Sequence, residues 1–197
     1  PLCYCSQMNF KRIAVYCGSS NEVAEKYFDL ARSLGEALAH RNIELVYGGG
    51  RVGLMGTVAD STLAAGGRVT GVIPRKLDDL ELGHRGIQDL FIVESMHERK
   101  AMMMHLSDGF ISLPGGFGTL EELSEVISLG TLNFHHKPVG ILDDDGFYDD
   151  LIAFFDRARD AGFIRKRQGE FLQRSADPST LIDAMSKAIP KDINEWL

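Results

Sequence analysis

Apolar β-type runs alternate along the chain with longer segments of helical period, and glycine-rich loops follow three of the strand runs. Each strand run leads into a helix or a turn. These observations predict an α/β fold, a Rossmann-like, doubly wound and mostly parallel sheet flanked by helices. In such a sheet, ligands bind outside the carboxyl ends of the strands. Residues 1–10 read as a loose N-terminal tail, with Met8 the nearer natural start, and residues 11–197 as a single domain of this fold.

The first strand is Arg12–Cys17, broken by Gly18-Ser19-Ser20-Asn21. Ser20 or Asn21 is expected to cap a helix that carries Ala24, Tyr27, Phe28, Ala31, Leu34 and Leu38 on one face. Arg41-Asn42 ends that helix. The second strand, Ile43–Tyr47, meets Gly48-Gly49-Gly50, and Gly53-Leu54-Met55-Gly56 opens a helix through about Ala65. A third strand, Arg68–Ile73, stops at Pro74, and Arg75–Asp89 lacks a clear period and reads as a long surface loop. Leu90–Val93 is strand four, Met96–Leu106 a helix, and Gly109–Leu113 strand five. That strand ends at Pro114-Gly115-Gly116-Phe117-Gly118-Thr119, and Leu120–Leu129 continues as helix. Pro138–Leu142 is a sixth strand, Tyr148–Ala161 an amphipathic helix and Pro178–Ile189 a C-terminal helix.

The composition is that of a globular chain, 44% hydrophobic and 25% charged over 197 residues. A formal net charge of −7 offers no basic footprint for nucleic acid. No apolar run approaches the roughly 18 residues that would span a bilayer, so no membrane partner is expected. Cys3, Cys5 and Cys17 form no disulfide framework, which fits a reducing cytoplasm. Cys3 and Cys5 lack a matching Cys/His pair, His135-His136 lacks a third ligand and reads as a surface loop, and Asp143-Asp144-Asp145-Gly146 lacks the spacing of a calcium loop and reads as a turn. No metal and no cofactor are therefore expected.

Gly48-Gly49-Gly50-Arg51-Val52-Gly53 satisfies G-x-G-x-x-G, but it follows the second strand, and the next strand ends Ile73-Pro74-Arg75 without the acidic residue that holds a dinucleotide ribose. Its glycines serve either a ligand or tight helix-on-strand packing. The loop Pro114–Thr119 is the stronger signal. Backbone N–H groups between a buried strand and a helix N-terminus converge on a phosphate, aided by the helix dipole. It is no Walker loop, since no lysine follows Gly118. Glu121 and Glu122 then fall in the expected first helical turn, where one could serve only the dipole. Two carboxylates beside a phosphate cradle nonetheless carry an electrostatic cost that points to acid–base or cation-stabilising work. Arg99 and Lys100 sit after strand four on the same edge. Their bland reading is a solvated face, their functional one an anion partner.

Tyr47-Gly48-Gly49-Gly50, Gly53-Leu54-Met55-Gly56, Met96-His97-x-Arg99-Lys100 and Pro114-Gly115-Gly116-x-Gly118-Thr119-x-x-Glu122 occur in order, and together they resemble the Lonely Guy family from about Ile13 to Phe171. The family's members are cytokinin riboside 5′-monophosphate phosphoribohydrolases, and bacterial ones were long labelled lysine decarboxylases. The resemblance implies a homodimeric Rossmann-like enzyme that uses water to release an adenine-type base and ribose 5-phosphate. By motif it makes Arg99 and Glu122 the catalytic pair, and Lys100, Gly115, Gly116, Phe117, Gly118, Thr119, Leu120 and Glu121 nucleotide-binding positions. Glu81 falls where the family has a further binding carboxylate, and Ser128 where plant relatives have a threonine. Gly18, Ser19, Gly49 and Gly50, on the other two glycine loops, are expected to face the same crevice.

Cleaving an N-glycosidic bond develops positive charge on the ribose and negative charge on the leaving base, so a carboxylate and a proton donor are both needed. Glu122 is expected to stabilise the ribose cation or orient water, Glu121 to hold the ribose hydroxyls, and Arg99 to hold phosphate or support the leaving side. Alternatives are a general AMP nucleosidase and a non-catalytic carrier of a nucleotide or molybdenum cofactor. Met102, Met103 and the region of Phe134 are candidates for the base pocket and equally for core.

Overall fold

The computed structural model describes residues 8–80, 82–165 and 172–188. Glu81 and the first residues of the expected tail lie outside them. The strands are β1 (Arg12–Tyr16), β2 (Glu44–Tyr47), β3 (Val69–Pro74), β4 (Asp89–Val93), β5 (Gly109–Ser112), β6 (Val139–Leu142) and β7 (Leu172–Ser175). The helices are α1 (Glu25–His40), α2 (Gly53–Ala64), α3 (Arg75–Asp78), α4 (Met96–Leu106), α5 (Phe117–Thr131), α6 (Asp149–Asp160) and α7 (Pro178–Lys187). The seven strands among the described residues form one sheet in the order β4-β3-β2-β1-β5-β6-β7, with every neighbouring pair parallel. This is the doubly wound Rossmann-like architecture expected of the sequence.

Strand alternation sorts the core into two layers. Ile13, Val15, Leu45 and Tyr47 point to the side packed by α1, α2 and α7, through Leu34, Leu38, Val58 and Leu181. Ala14, Tyr16, Val46 and Phe110 point to the opposite side, against Met103, Leu123, Val126 and Tyr148. The chain runs outward from β1 to β4 and then returns to lay β5 on the other side of β1. That reversal makes the carboxyl ends of β1 and β5 the topological switch point, where open α/β sheets bind ligands. Gly18 follows the first of these strands and Pro114-Gly115 the second.

Several expectations are corrected. Ser20 and Asn21 do not cap α1, whose N-cap is Ala24, without a side-chain bond. The Ser20 hydroxyl instead accepts from the Glu22 N–H at 3.0 Å, and the Asn21 side-chain oxygen accepts from the Gly53 N–H at 2.8 Å, tying the first loop to α2. The segment after β3 is not a plain loop. It forms α3, then crosses Gly50 as an antiparallel bridge through Gly83, with the Arg51 N–H donating to the Leu82 carbonyl at 3.0 Å. A seventh strand, Leu172–Ser175, closes the second edge. His135 is buried, with Nε2 2.8 Å from the Val126 carbonyl and Nδ1 accepting from the Lys137 N–H, and only His136 lies on the surface. Burial holds the His135 pKa below its ordinary value.

Candidate active site

Helix α4 is set by its first turn. The Ser95 hydroxyl accepts from the Glu98 N–H at 3.1 Å, and the Glu98 carboxylate reaches back to the Glu94 N–H at 2.8 Å, a variant of the capping box. This start places Arg99 and Lys100 at the fourth and fifth helical residues, on the side facing the sheet. Both are buried, at 7% and 6% exposure, so the solvated-face reading fails. Arg99 Nε donates to the Val72 carbonyl on β3 at 3.2 Å, and Nη1 to Glu122 Oε1 at 2.5 Å. Gly48 leaves room for this pose, because a Cβ there would overlap Arg99 Nη2 and lie 3.0 Å from Cζ.

Glu122 comes from α5, which begins at Phe117 and not at Leu120. Glu121 and Glu122 therefore lie in the second turn, beyond the four orphan N–H groups, and neither is a first-turn cap. The helix dipole therefore does not account for them. Glu122 is 7% exposed. Burial raises its pKa, the charge and hydrogen bond of Arg99 pull it back, and the balance stays above the ordinary value. A buried ion pair contributes little net stability, because desolvation offsets its attraction. Arg99 and Glu122 are thus a candidate pair for chemistry.

A second cluster adjoins the first. Lys100 Nζ pairs with Glu121 and, at 3.1 Å, with Glu125. Burial lowers the Lys100 pKa, but its bonds to the two carboxylates outweigh that and leave it raised. Tyr16 and Cys17, at the end of β1, are held protonated by burial and by the nearby Glu122 charge. A protonated, buried thiol is a poor nucleophile.

The loop Leu113–Thr119 closes on the first glycine loop. The Leu113 N–H donates to the Tyr16 carbonyl at 2.9 Å, and the Gly18 N–H to the Pro114 carbonyl at 3.1 Å. A Cβ on Gly115 would lie 2.7 Å from Thr119 Cβ and 2.9 Å from the Gly18 nitrogen, whereas one on Gly116 or Gly118 would meet nothing within 4 Å. Gly115→Ala is expected to destabilise the protein by about 1–3 kcal/mol through overpacking. Gly116→Ala and Gly118→Ala should leave the melting temperature nearly unchanged. Thermal denaturation of the three proteins checks the contrast, and equal losses would refute it.

The structure thus brings together Arg99, Lys100, Glu121 and Glu122, and separately joins Gly18 to Gly115 and Thr119. Thr119 is buried, Leu120 partly so, and Phe117 is 94% exposed. Ser19 is exposed, while Gly49 and Gly50 are buried beside the Gly83 crossing. Ser128 is exposed and continues the Glu121–Glu125 stripe, about 9 Å along the axis from Glu122. Met103 is core, and Phe134 is exposed. Sequence reasoning missed Glu125, although its spacing from Glu121 places both on one helical face. It also missed the Val72 carbonyl and the space left by Gly48, which no side-chain chemistry signals.

A family model described as "Possible lysine decarboxylase" matches residues 55–185. The rice protein named probable cytokinin riboside 5′-monophosphate phosphoribohydrolase LOGL2 is 45% identical over 94% of this chain and 76% of its own length. Arabidopsis thaliana LOG5, named a cytokinin riboside 5′-monophosphate phosphoribohydrolase, is 46% identical over 92% of this chain and 79% of its own. The chain belongs to the Lonely Guy family. Among solved structures, the molybdenum cofactor carrier protein of Chlamydomonas reinhardtii superimposes with a TM-score of 0.68 at 19% identity, covering 90% of this chain and 96% of that one. At that identity the likeness is one of fold. Of the motifs that carry the Lonely Guy resemblance, Pro114–Glu122 leaves the switch point at the end of β5, while Tyr47–Gly50 and Met96–Lys100 follow β2 and β4.

Proposed function

We propose that this chain hydrolyses the N-glycosidic bond of an adenosine 5′-monophosphate, N6-substituted in the cytokinin manner, to free base and ribose 5-phosphate. The observation that carries this reading is the buried Arg99–Glu122 pair, 2.5 Å apart, on helices flanking a glycine loop at the sheet's switch point. The relatives' names supply the substrate class. Backbone N–H groups of Gly116, Phe117 and Gly118 at the start of α5 receive the 5′-phosphate, where open space surrounds both glycines. Glu122 faces the ribose, stabilising the cation that forms at C1′ or orienting the water that attacks it. Water's hydroxyl ends on C1′ and its proton on the departing base. Arg99 holds Glu122 and supports the leaving side, while Lys100, Glu121 and Glu125 form the neighbouring wall. Glu81, Ser128, Gly18, Ser19, Gly49 and Gly50 are assigned supporting contacts.

No cofactor enters this chemistry. A decarboxylase of the pyridoxal type needs a neutral lysine for its Schiff base. Lys100 is instead paired with two carboxylates that raise its pKa. The carrier alternative rests on fold likeness alone. A homodimer is supported by exposed apolar side chains at Met96, Leu132 and Phe134 on the α4–α5 side, and sedimentation velocity tests it. The sparse cysteines support a cytoplasmic setting, and no helix among the described residues is long and apolar enough to cross a membrane.

Incubation with AMP and with N6-isopentenyl-AMP, followed by chromatography, is the direct test. Free base and ribose 5-phosphate are expected, faster from the substituted nucleotide. Equal or faster release from AMP would make the protein a general nucleosidase, and no release from either would end the hydrolase reading.

A further inference from the structure

The turn Asp143-Asp144-Asp145-Gly146 after β6 lies outside the charge cluster, yet it is tied to the phosphate loop. Asp143 is buried, and its carboxylate accepts the backbone N–H groups of Phe147 at 3.0 Å, Tyr148 at 2.9 Å and Asp145 at 3.3 Å. Arg174 pairs with it at 2.8 Å. These bonds occupy the carboxylate, so the turn works as a bracket. What it positions is Tyr148, the residue that leads into α6. The Tyr148 ring is 2% exposed and meets Phe147 edge-on, with centroids 5.0 Å apart. Its hydroxyl donates to the Leu113 carbonyl at 2.7 Å.

Leu113 is the residue from which the phosphate loop departs. Its N–H and the Pro114 carbonyl are held by the first strand and its loop, through Tyr16 and Gly18. Proline has no N–H of its own. The Leu113 carbonyl fixes the plane of the peptide that joins it to Pro114, and the tilt of that plane sets the direction in which Gly115 and Gly116 leave the sheet. We propose that Tyr148, oriented by Asp143, is a positioning residue for the phosphate cradle. Burial keeps the phenol protonated, so it remains a donor across the working pH range. Without the phenol, the buried carbonyl loses its partner and the peptide plane is free to turn toward another donor. The loss should reach the phosphate end of a ligand and spare the base.

This inference rests on the proposed phosphate site, and Tyr148→Phe tests it with two probes, ribose 5-phosphate and adenine, each titrated calorimetrically into the full chain. The expected result is a dissociation constant for ribose 5-phosphate about tenfold weaker in Tyr148→Phe, the scale of one lost hydrogen bond, with that for adenine within about twofold. A merely structural role would weaken both together. Equal weakening of both probes, or unchanged ribose 5-phosphate binding in a folded Tyr148→Phe protein, overturns the inference and leaves the hydrolase reading intact. Failure of the unsubstituted protein to bind ribose 5-phosphate at all overturns both. Should Tyr148→Phe not fold, Asp143→Asn takes its place, since it keeps one acceptor oxygen for the turn. It is expected to show the same split at about threefold, and absence of the split refutes the proposal.

Discussion

The Glu122→Gln protein is expected to bind AMP about as tightly as the unsubstituted protein and to release base at least about 1,000-fold more slowly, a loss in the range for removing a group that acts on the transition state. Glutamine keeps an oxygen to accept from Arg99 Nη1 and closely matches the shape of the glutamate, so the 2.5 Å contact has a neutral counterpart. What it loses is the negative charge that the proposed mechanism sets against the ribose cation. The kinetic signature is a fall in kcat with little change in KM, because the interaction is realised only in the transition state. Base release followed by chromatography measures it. A normal rate in Glu122→Gln would remove the mechanism.

The pH dependence follows from the same residue. Burial raises the Glu122 pKa above the ordinary 4.5, with Arg99 opposing. If the proposed role of Glu122 holds, the ionised form is the active one, activity is expected to fall as pH drops through this raised value, and the acid limb should lie above the usual carboxylate range. For stability the sign is opposite. A carboxyl group with a folded pKa above its unfolded one stabilises the fold most at low pH and loses that contribution as pH rises through the folded value. Glutamine, neutral throughout, forgoes no charge-based stability at neutral pH, and the Glu122→Gln melting temperature should not fall with its activity.

Much of this was legible in the residues, and the exceptions share a physical pattern. Helix α4 is found at Met96–Leu106, the bounds its recurring methionines gave, whereas the serine N-cap and the glutamate three residues on, a helix-start signal present in the sequence, went unread. Strand β7 was hidden because Leu172-Gln173-Arg174-Ser175 is short, polar at every position but the first, and on an edge, with none of the apolar run that marked the inner strands. The start of α5 was misplaced because glycine reads as a helix breaker, and here Gly118 sits inside the first turn. Of the site, Arg99, Lys100, Glu121 and Glu122 were visible as charged residues after strand ends. Their pairing was not, since it depends on which helices lie side by side over the sheet. Gly48, the Val72 carbonyl and Tyr148 act through shape and backbone contacts, and a pattern of side-chain types carries no record of those.

Gly48 supplies the sharpest test of that last point, since Gly48→Ala adds one methyl group and is expected to lower kcat/KM at least about 100-fold with the fold intact. A Cβ at this position would overlap Arg99 Nη2, lie 3.0 Å from Cζ and approach Met55 Sδ at 3.2 Å. The obstacle is the far end of a flexible side chain, so the guanidinium moves and the backbone need not. Moving it breaks the bonds to the Val72 carbonyl and to Glu122 together. Glu122 then loses its largest pKa-lowering neighbour, and the acid limb of the pH profile shifts further upward. If the methyl group acts only by displacing Arg99, then Gly48→Ala combined with Arg99→Ala should be no worse than Arg99→Ala alone, the non-additivity expected of two changes to one interaction. Additive losses would mean that Gly48 serves the ligand directly, and an undiminished rate in Gly48→Ala would mean that the Arg99 pose seen here is not the one that works.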